Sequence, residues 1–140
     1  MKGKNMKKVE VVAAVIIKNK QVLCTQRNFN KLDYISYKFE FPGGKIEEGE
    51  SSTEALTREI YEEMNAKINI SDKNFFMTVD HKYPDFNLIM HTFLCNVDDL
   101  TFNLNEHISH KWCDRSCIED LDWAAADIPI VKKLLSEDIL

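Results

Sequence analysis

Residues 43–66 read Gly-Gly-Lys-Ile-Glu-Glu-Gly-Glu-Ser-Ser-Thr-Glu-Ala-Leu-Thr-Arg-Glu-Ile-Tyr-Glu-Glu-Met-Asn-Ala, a glycine turn running into a segment crowded with carboxylates. Ser51 followed three residues later by Glu54 is a capping-box pattern, which predicts a helix from about Ser52 to Met64. Asn65 suits the left-handed residue that ends such a helix. At about 100° per residue, Leu56, Ile60 and Met64 form one apolar stripe that must face a core.

Glu59, Glu62 and Glu63 share a different face. At these spacings like charges repel by a few tenths of a kcal/mol per pair. Glu62 and Glu63 also fall in the last turn, where the helix dipole disfavours an anion by roughly 0.3–1 kcal/mol each. A hard divalent cation held by carboxylate oxygens would offset both costs, and Mg²⁺ or Mn²⁺ suits an all-oxygen site better than zinc. A solvated acidic face is the plainer alternative; the neighbouring glycines and Arg58 weigh against it.

Gly44, five residues, Glu50, seven residues and then Arg58-Glu59-Ile60-Tyr61-Glu62-Glu63 resembles the Nudix box. That box marks hydrolases of a nucleoside diphosphate linked to another group. The one departure is Asn65, where the family usually carries glycine. Asparagine tolerates positive φ better than other non-glycine residues, so the helix end is preserved. Gly43-Gly44-Lys45 is not a P-loop, because Ile46 follows the lysine and the upstream glycine is missing.

Working outward, 140 residues suffice for one domain with a single core, expected over residues 8–140 behind a flexible leader at 1–7. The net charge of -5 argues against a nucleic-acid polymer as partner, since such proteins carry a basic patch that neutralises phosphates. Cys24, Cys95, Cys113 and Cys117 lack CxxC spacing, so they read as reduced thiols of a cytoplasmic protein. The lysines ahead of Val11–Ile17 superficially suggest a signal peptide. That run is short, β-branched and lacks a small-residue cleavage site, so it reads as a buried strand. No stretch reaches the ~18 apolar residues needed to span a membrane.

Val9–Ile17 and Val22–Arg27 read as strands joined at Lys18-Asn19-Lys20, and Lys38–Pro42 alternates in strand fashion. Short strands are expected at Ala66–Ile70 and Leu100–Leu104. Phe75–Tyr83 and Phe86–Asn96 form a hairpin across Pro84-Asp85. Ile108, His110 and Trp112 alternate, Arg115–Leu121 is a helical turn, and Ile128–Leu135 is a final amphipathic helix. The four histidines lack metal-ligand spacing and are expected to decorate strands. Mixed strands with an internal and a terminal helix fit an α/β (α+β) fold, an α/β/α sandwich around a mixed sheet. The Nudix resemblance implies the same, and the segment from Glu106 through Trp112 to Ala126-Asp127-Ile128-Pro129 is similar to the MutT-like branch.

The resemblance implies that Glu59, Glu62, Glu63 and the Gly43 carbonyl ligate metal, with Glu59 or Glu106 acting on the attacking water. Glu106 is also expected in the metal cluster. Arg58 would orient Glu59, while Lys45 and Arg27 would reach phosphate. Phe41 and Phe86 would line the base pocket, with core packing the plainer role for Phe41. Asp127 falls where related enzymes read the base. As an acceptor-only carboxylate it would take donors from guanine or the amino group of cytosine, and it equally suits the N-cap of the last helix. The expected activity is Mg²⁺-dependent hydrolysis of 8-oxo-dGTP, CTP or dCTP to the monophosphate and pyrophosphate. An ADP-ribose or nucleotide-sugar pyrophosphatase and a catalytically silent nucleotide sensor are the alternatives. Oligomeric state, monomer or homodimer, is left open.

Overall fold

The computed structural model describes residues 6–140. Strand β1 (Lys7–Lys18) is the centre of a seven-stranded mixed sheet with β2 (Gln21–Gln26), β3 (Phe39–Glu40), β4 (Gly43–Lys45), β5 (Phe75–Lys82), β6 (Phe86–Asn96) and β7 (Ser109–Cys113). The strand order is β3-β2-β1-β6-β5, with β4 also paired to β1 and β7 to β2. Among the strands of the described residues, only β1 and β6 pair in parallel. The leader expected at residues 1–7 lies, for residues 1–5, outside the described residues, and Lys7 already pairs with Phe86.

The apolar run of β1 is buried on both faces because a helix covers each side. Val12, Ala14 and Ile16 pack with Leu56, Ile60 and Met64 of α1 (Ser52–Met64). Ala13, Val15 and Ile17 pack with Ile130, Val131 and Leu134 of α2 (Ile128–Ser136). The result is the expected α/β/α sandwich. Fully burying each of the three α1 side chains is worth about 1.5–3 kcal/mol.

Local signals place α1 as its sequence predicts. The Ser51 hydroxyl accepts from the Glu54 N–H, the Glu54 carboxylate accepts from the Ser51 N–H, and Asn65 sits at φ 55°. The β1–β2 hairpin turns at Asn19 and Lys20, both at positive φ, which matches the right-handed twist of the flanking strands.

Two strand expectations are corrected. Residues 66–70 are irregular, with Ala66 and Ile68 buried against the α1 side of the core. Residues 100–104 are irregular too, anchored by the Asn103 N–H to the Met64 carbonyl at 2.9 Å. In both, apolar side chains cover the open end of the α1 layer without joining the sheet. Cys24, Cys95, Cys113 and Cys117 are free thiols, and burial pushes Cys95 and Cys113 up to about 12.

Candidate active site

The glycine turn is built into the sheet. Gly43 of β4 lies flat on β1, where an added methyl would come within 1.9 Å of the Val12 carbonyl oxygen. This close approach fixes where α1 begins and which way its carboxylates face. Glu59, Glu63 and Glu106 then line a polar cleft of about 440 Å³, together with Gly43, Lys45 and Arg27.

Arg58 organises the acids around it. Its Nε and Nη2 grip Glu50 at 2.6 and 2.9 Å, while Nη1 donates to Glu59 and Glu62 at 3.0 Å each. Nη2 also donates to the Lys45 carbonyl at 3.1 Å, tying the helix to the turn. Hydrogen bonding from Arg58 holds Glu50 down at about 2. For Glu59, loss of water raises the carboxyl and the Arg58 guanidinium pulls it back. Glu62 is more than half exposed, paired to Arg58 on the outer side, and is not brought into the cleft.

Glu63 is buried at 3% exposure, and burial raises its carboxyl above the usual range. One oxygen, Oε1, lies 2.5 Å from His107 Nδ1; the other, Oε2, is buried without a hydrogen-bond partner. His107 Nε2 lies 2.8 Å from Glu40 Oε2. Burial disfavours the imidazolium, but the two carboxylates outweigh it and push His107 up to about 9. Three histidines sit on strands as expected, His81 on β5, His91 on β6 and His110 on β7. His107 is the exception, a buried residue of the cleft wall. The sequence signal was its place beside Glu106 and just ahead of the alternating β7 residues.

Among the described residues, no group of three or more His, Cys, Asp or Glu side chains is already arranged to hold a metal ion. The donor set nevertheless fits a hard divalent cation: desolvated carboxylates at Glu59 and Glu63, and a buried oxygen at Glu63 with nothing to bind.

A second, more apolar pocket of about 280 Å³ adjoins the cleft, and the two share Arg27, Glu40, Gly43, Gly44 and Lys45. Phe86 lines it as the first residue of β6, with Tyr83, Leu88 and Met90 nearby on the wall. Tyr83, which sequence reasoning missed, is ordered by stacking on Tyr34 at 5.0 Å and by accepting from the Ala126 N–H at 3.0 Å. Phe41 also lines the pocket, but its ring is 3% exposed and stacked on Trp123 at 4.8 Å, so core packing is its role. Arg27 is half-exposed and 3.4 Å from Glu40 Oε1.

Asp127 lines the same pocket at 4% exposure. Its Oδ1 accepts from the Phe41 N–H at 3.1 Å, and it makes no side-chain cap on α2. Asp127 therefore stands at the N-cap position of α2 with Pro129 just inside, as expected, but its carboxyl serves the Phe41 N–H and not the cap. Burial, with Glu40 nearby, raises the Asp127 carboxyl well above its ordinary value, which favours the neutral acid, a form that can donate as well as accept.

The family model described as the NUDIX domain matches residues 7–134. The CTP pyrophosphohydrolase of Escherichia coli K12 is 31% identical over 94% of this chain and 94% of its own length. The 8-oxo-dGTP diphosphatase of the same organism is 27% identical over 92% of this chain and 98% of its own. Among solved structures, the Nudix hydrolase MutT of methicillin-resistant Staphylococcus aureus 252 superposes with a TM-score of 0.72 at 34% identity, covering 95% of this chain and 99% of that one.

Proposed function

The chain belongs to the NUDIX domain family and is a MutT-like Nudix hydrolase, and on that premise we propose that it hydrolyses nucleoside or deoxynucleoside triphosphates to the monophosphate and pyrophosphate. The observation that carries this reading is the junction of an acid-lined polar cleft with an apolar pocket across the shared rim of Arg27, Gly44 and Lys45. A nucleotide has the same two-part chemistry, with a flat apolar base at one end and a polyanion at the other.

In this reading Glu59, Glu62, Glu63, Glu106 and the Gly43 carbonyl would hold Mg²⁺, or Mn²⁺ in its place, and the ion would neutralise oxygen charge on the phosphates. Glu62 would have to leave its outward pairing with Arg58 to take part. The water attacks a phosphorus of the α–β bridge, that P–O bond breaks, and the attacked phosphorus keeps the hydroxyl while the other product leaves, giving the monophosphate and pyrophosphate. Glu59 or Glu106 accepts the water's proton. Arg58 holds Glu59 in line, and Lys45 and Arg27 meet the phosphates at the rim.

Phe86 and Tyr83 wall the base, and protonated Asp127 offers it one donor and one acceptor. Cytosine presents that pair through N4–H and N3, and guanine through N1–H and O6, so CTP, dCTP and 8-oxo-dGTP all suit the pocket. The names of the two E. coli relatives support the same substrate class. Nucleotide-pool cleansing in the cytoplasm is the role this implies, supported by four free thiols.

The test is pyrophosphate release with Mg²⁺ across 8-oxo-dGTP, dGTP, CTP, dCTP, 5-methyl-dCTP and ADP-ribose. A preferred triphosphate supports the reading. ADP-ribose as sole substrate, or no turnover by folded, metal-bound protein, overturns it.

A further inference from the structure

The short irregular segment from residue 105 to 108 carries Glu106 to the cleft, and it is pinned at both ends. Asn105 donates its backbone N–H to the Glu63 carbonyl at 2.9 Å and its side-chain amide to the Glu62 carbonyl at 2.7 Å. At the other end the Ile108 N–H donates to the Gln26 carbonyl at 3.0 Å. Between these pins stands His107, its side chain 5% exposed, with one ring nitrogen facing β3 and the other facing α1.

The contacts form a chain across the site. Arg27 meets Glu40 Oε1 at 3.4 Å, Glu40 Oε2 meets His107 Nε2 at 2.8 Å, and His107 Nδ1 meets Glu63 Oε1 at 2.5 Å. The last contact is short yet out of line for a hydrogen bond, leaving Nδ1 without an aligned partner. Its effect is therefore on where the Glu63 carboxylate points. With Oε1 drawn to the imidazole, Oε2 is the oxygen left buried and unpaired. A buried carboxylate oxygen kept without a partner is unfavourable, and a bound cation would relieve it.

We propose that His107 is a positioning residue: clamped between Glu40 and Glu63, it holds Glu63 Oε1 and presents Oε2 alone to the divalent cation, while fixing the approach of the adjacent Glu106. This rests on the metal-dependent reading above. Nothing in it requires His107 to touch substrate. Residues that orient a metal ligand from behind typically change metal affinity or activity by about 10–100-fold when removed.

The experiment measures Mn²⁺ binding to the nucleotide-free protein by electron paramagnetic resonance, alongside steady-state kinetics, for wild type, His107→Ala and His107→Gln. His107→Ala is expected to weaken Mn²⁺ binding about 10-fold or more and to lower kcat similarly. KM for the nucleotide should stay within about threefold, because this residue lies behind the metal ligands. His107→Gln, which keeps a donor and much of the volume, should recover part of the Mn²⁺ affinity. Unchanged Mn²⁺ affinity in folded His107→Ala, or no recovery with Gln, overturns the proposal. If His107→Ala does not fold, Glu40→Gln decides, with weakened Mn²⁺ binding expected and wild-type affinity overturning. Wild-type protein that neither binds Mn²⁺ nor hydrolyses any nucleotide would instead remove the metal-dependent reading itself.

Discussion

Gly44 and the Glu59 carboxylate occupy adjoining space: a methyl added at Gly44 would lie 2.4 Å from both Cδ and Oε2 of Glu59. Adjacent glycines therefore answer to different neighbours, since Gly43 faces the backbone of β1 and Gly44 faces the end of a flexible side chain.

Gly44→Ala should keep the fold, with thermal unfolding shifted only slightly, because the Glu59 carboxylate can swing aside. Turnover should fall by about 10²-fold or more once that group is misplaced. Gly43→Ala should instead lose several kcal/mol of stability or fail to fold, since backbone cannot move out of its way. Paired melting curves and initial rates check both, and equal destabilisation of the two variants would contradict this assignment.

Glu63→Gln should lower turnover by about 10²–10³-fold while the protein stays folded, as expected when an electrostatic group at the reacting phosphate is lost. The amide keeps the shape of the carboxylate, so the fold should be retained even though His107 loses one of the two charges that support its imidazolium. Near-normal pyrophosphate release would remove Glu63 from the metal site.

Asp127→Asn keeps an acceptor for the Phe41 N–H but exchanges the acid O–H for an amide. The ratio of kcat/KM between guanine and cytosine nucleotides should shift by about 5- to 100-fold, the range of one bidentate base contact. An unchanged ranking would confine Asp127 to packing.

Asp127 also predicts a pH dependence of stability. Its folded carboxyl holds the proton well above the ordinary 3.8, so between that value and the folded one the native state binds more protons than the unfolded chain. Stability contributed by this group is therefore lost as pH rises above about 4, with a slope of up to about 1.4 kcal/mol per pH unit. Asp127→Asn should flatten that slope, as read from urea unfolding between pH 5 and 8. A slope identical to wild type would show Asp127 ionised in the fold.

Chelation should stop hydrolysis, and added Mg²⁺ should restore it. Activity persisting in excess chelator would contradict a metal-dependent reaction.

Features encoded within one turn of chain were legible in the sequence. Ser51, Glu54 and Asn65 bound α1 because each acts on backbone a few residues away. The apolar run of β1 was legible because both its faces are covered. Ala66–Ile70 and Leu100–Leu104 misled because their apolar side chains are buried without strand pairing, which periodicity alone does not distinguish. His107 and Tyr83 went unread because each acts through partners distant in sequence, Glu40 and Glu63 for one, Tyr34 and Ala126 for the other. The upward shift of the Asp127 carboxyl depends on desolvation, which only the assembled pocket creates.

The parallel pairing of β1 with β6 runs unbroken from Lys7↔Phe86 to Ile17↔Asn96, joining the start of the chain to its middle. No short turn can template such a ladder, and the loop it closes includes the whole of α1. Until β6 has been synthesised, β1 has β2, β4 and α1 to pack against, but its β6-facing edge stays unpaired. Folding should be slow for a chain this size, governed by one distant closure. In that interval the open edge along Val11–Ile17 can pair with another chain, which is a route to aggregation.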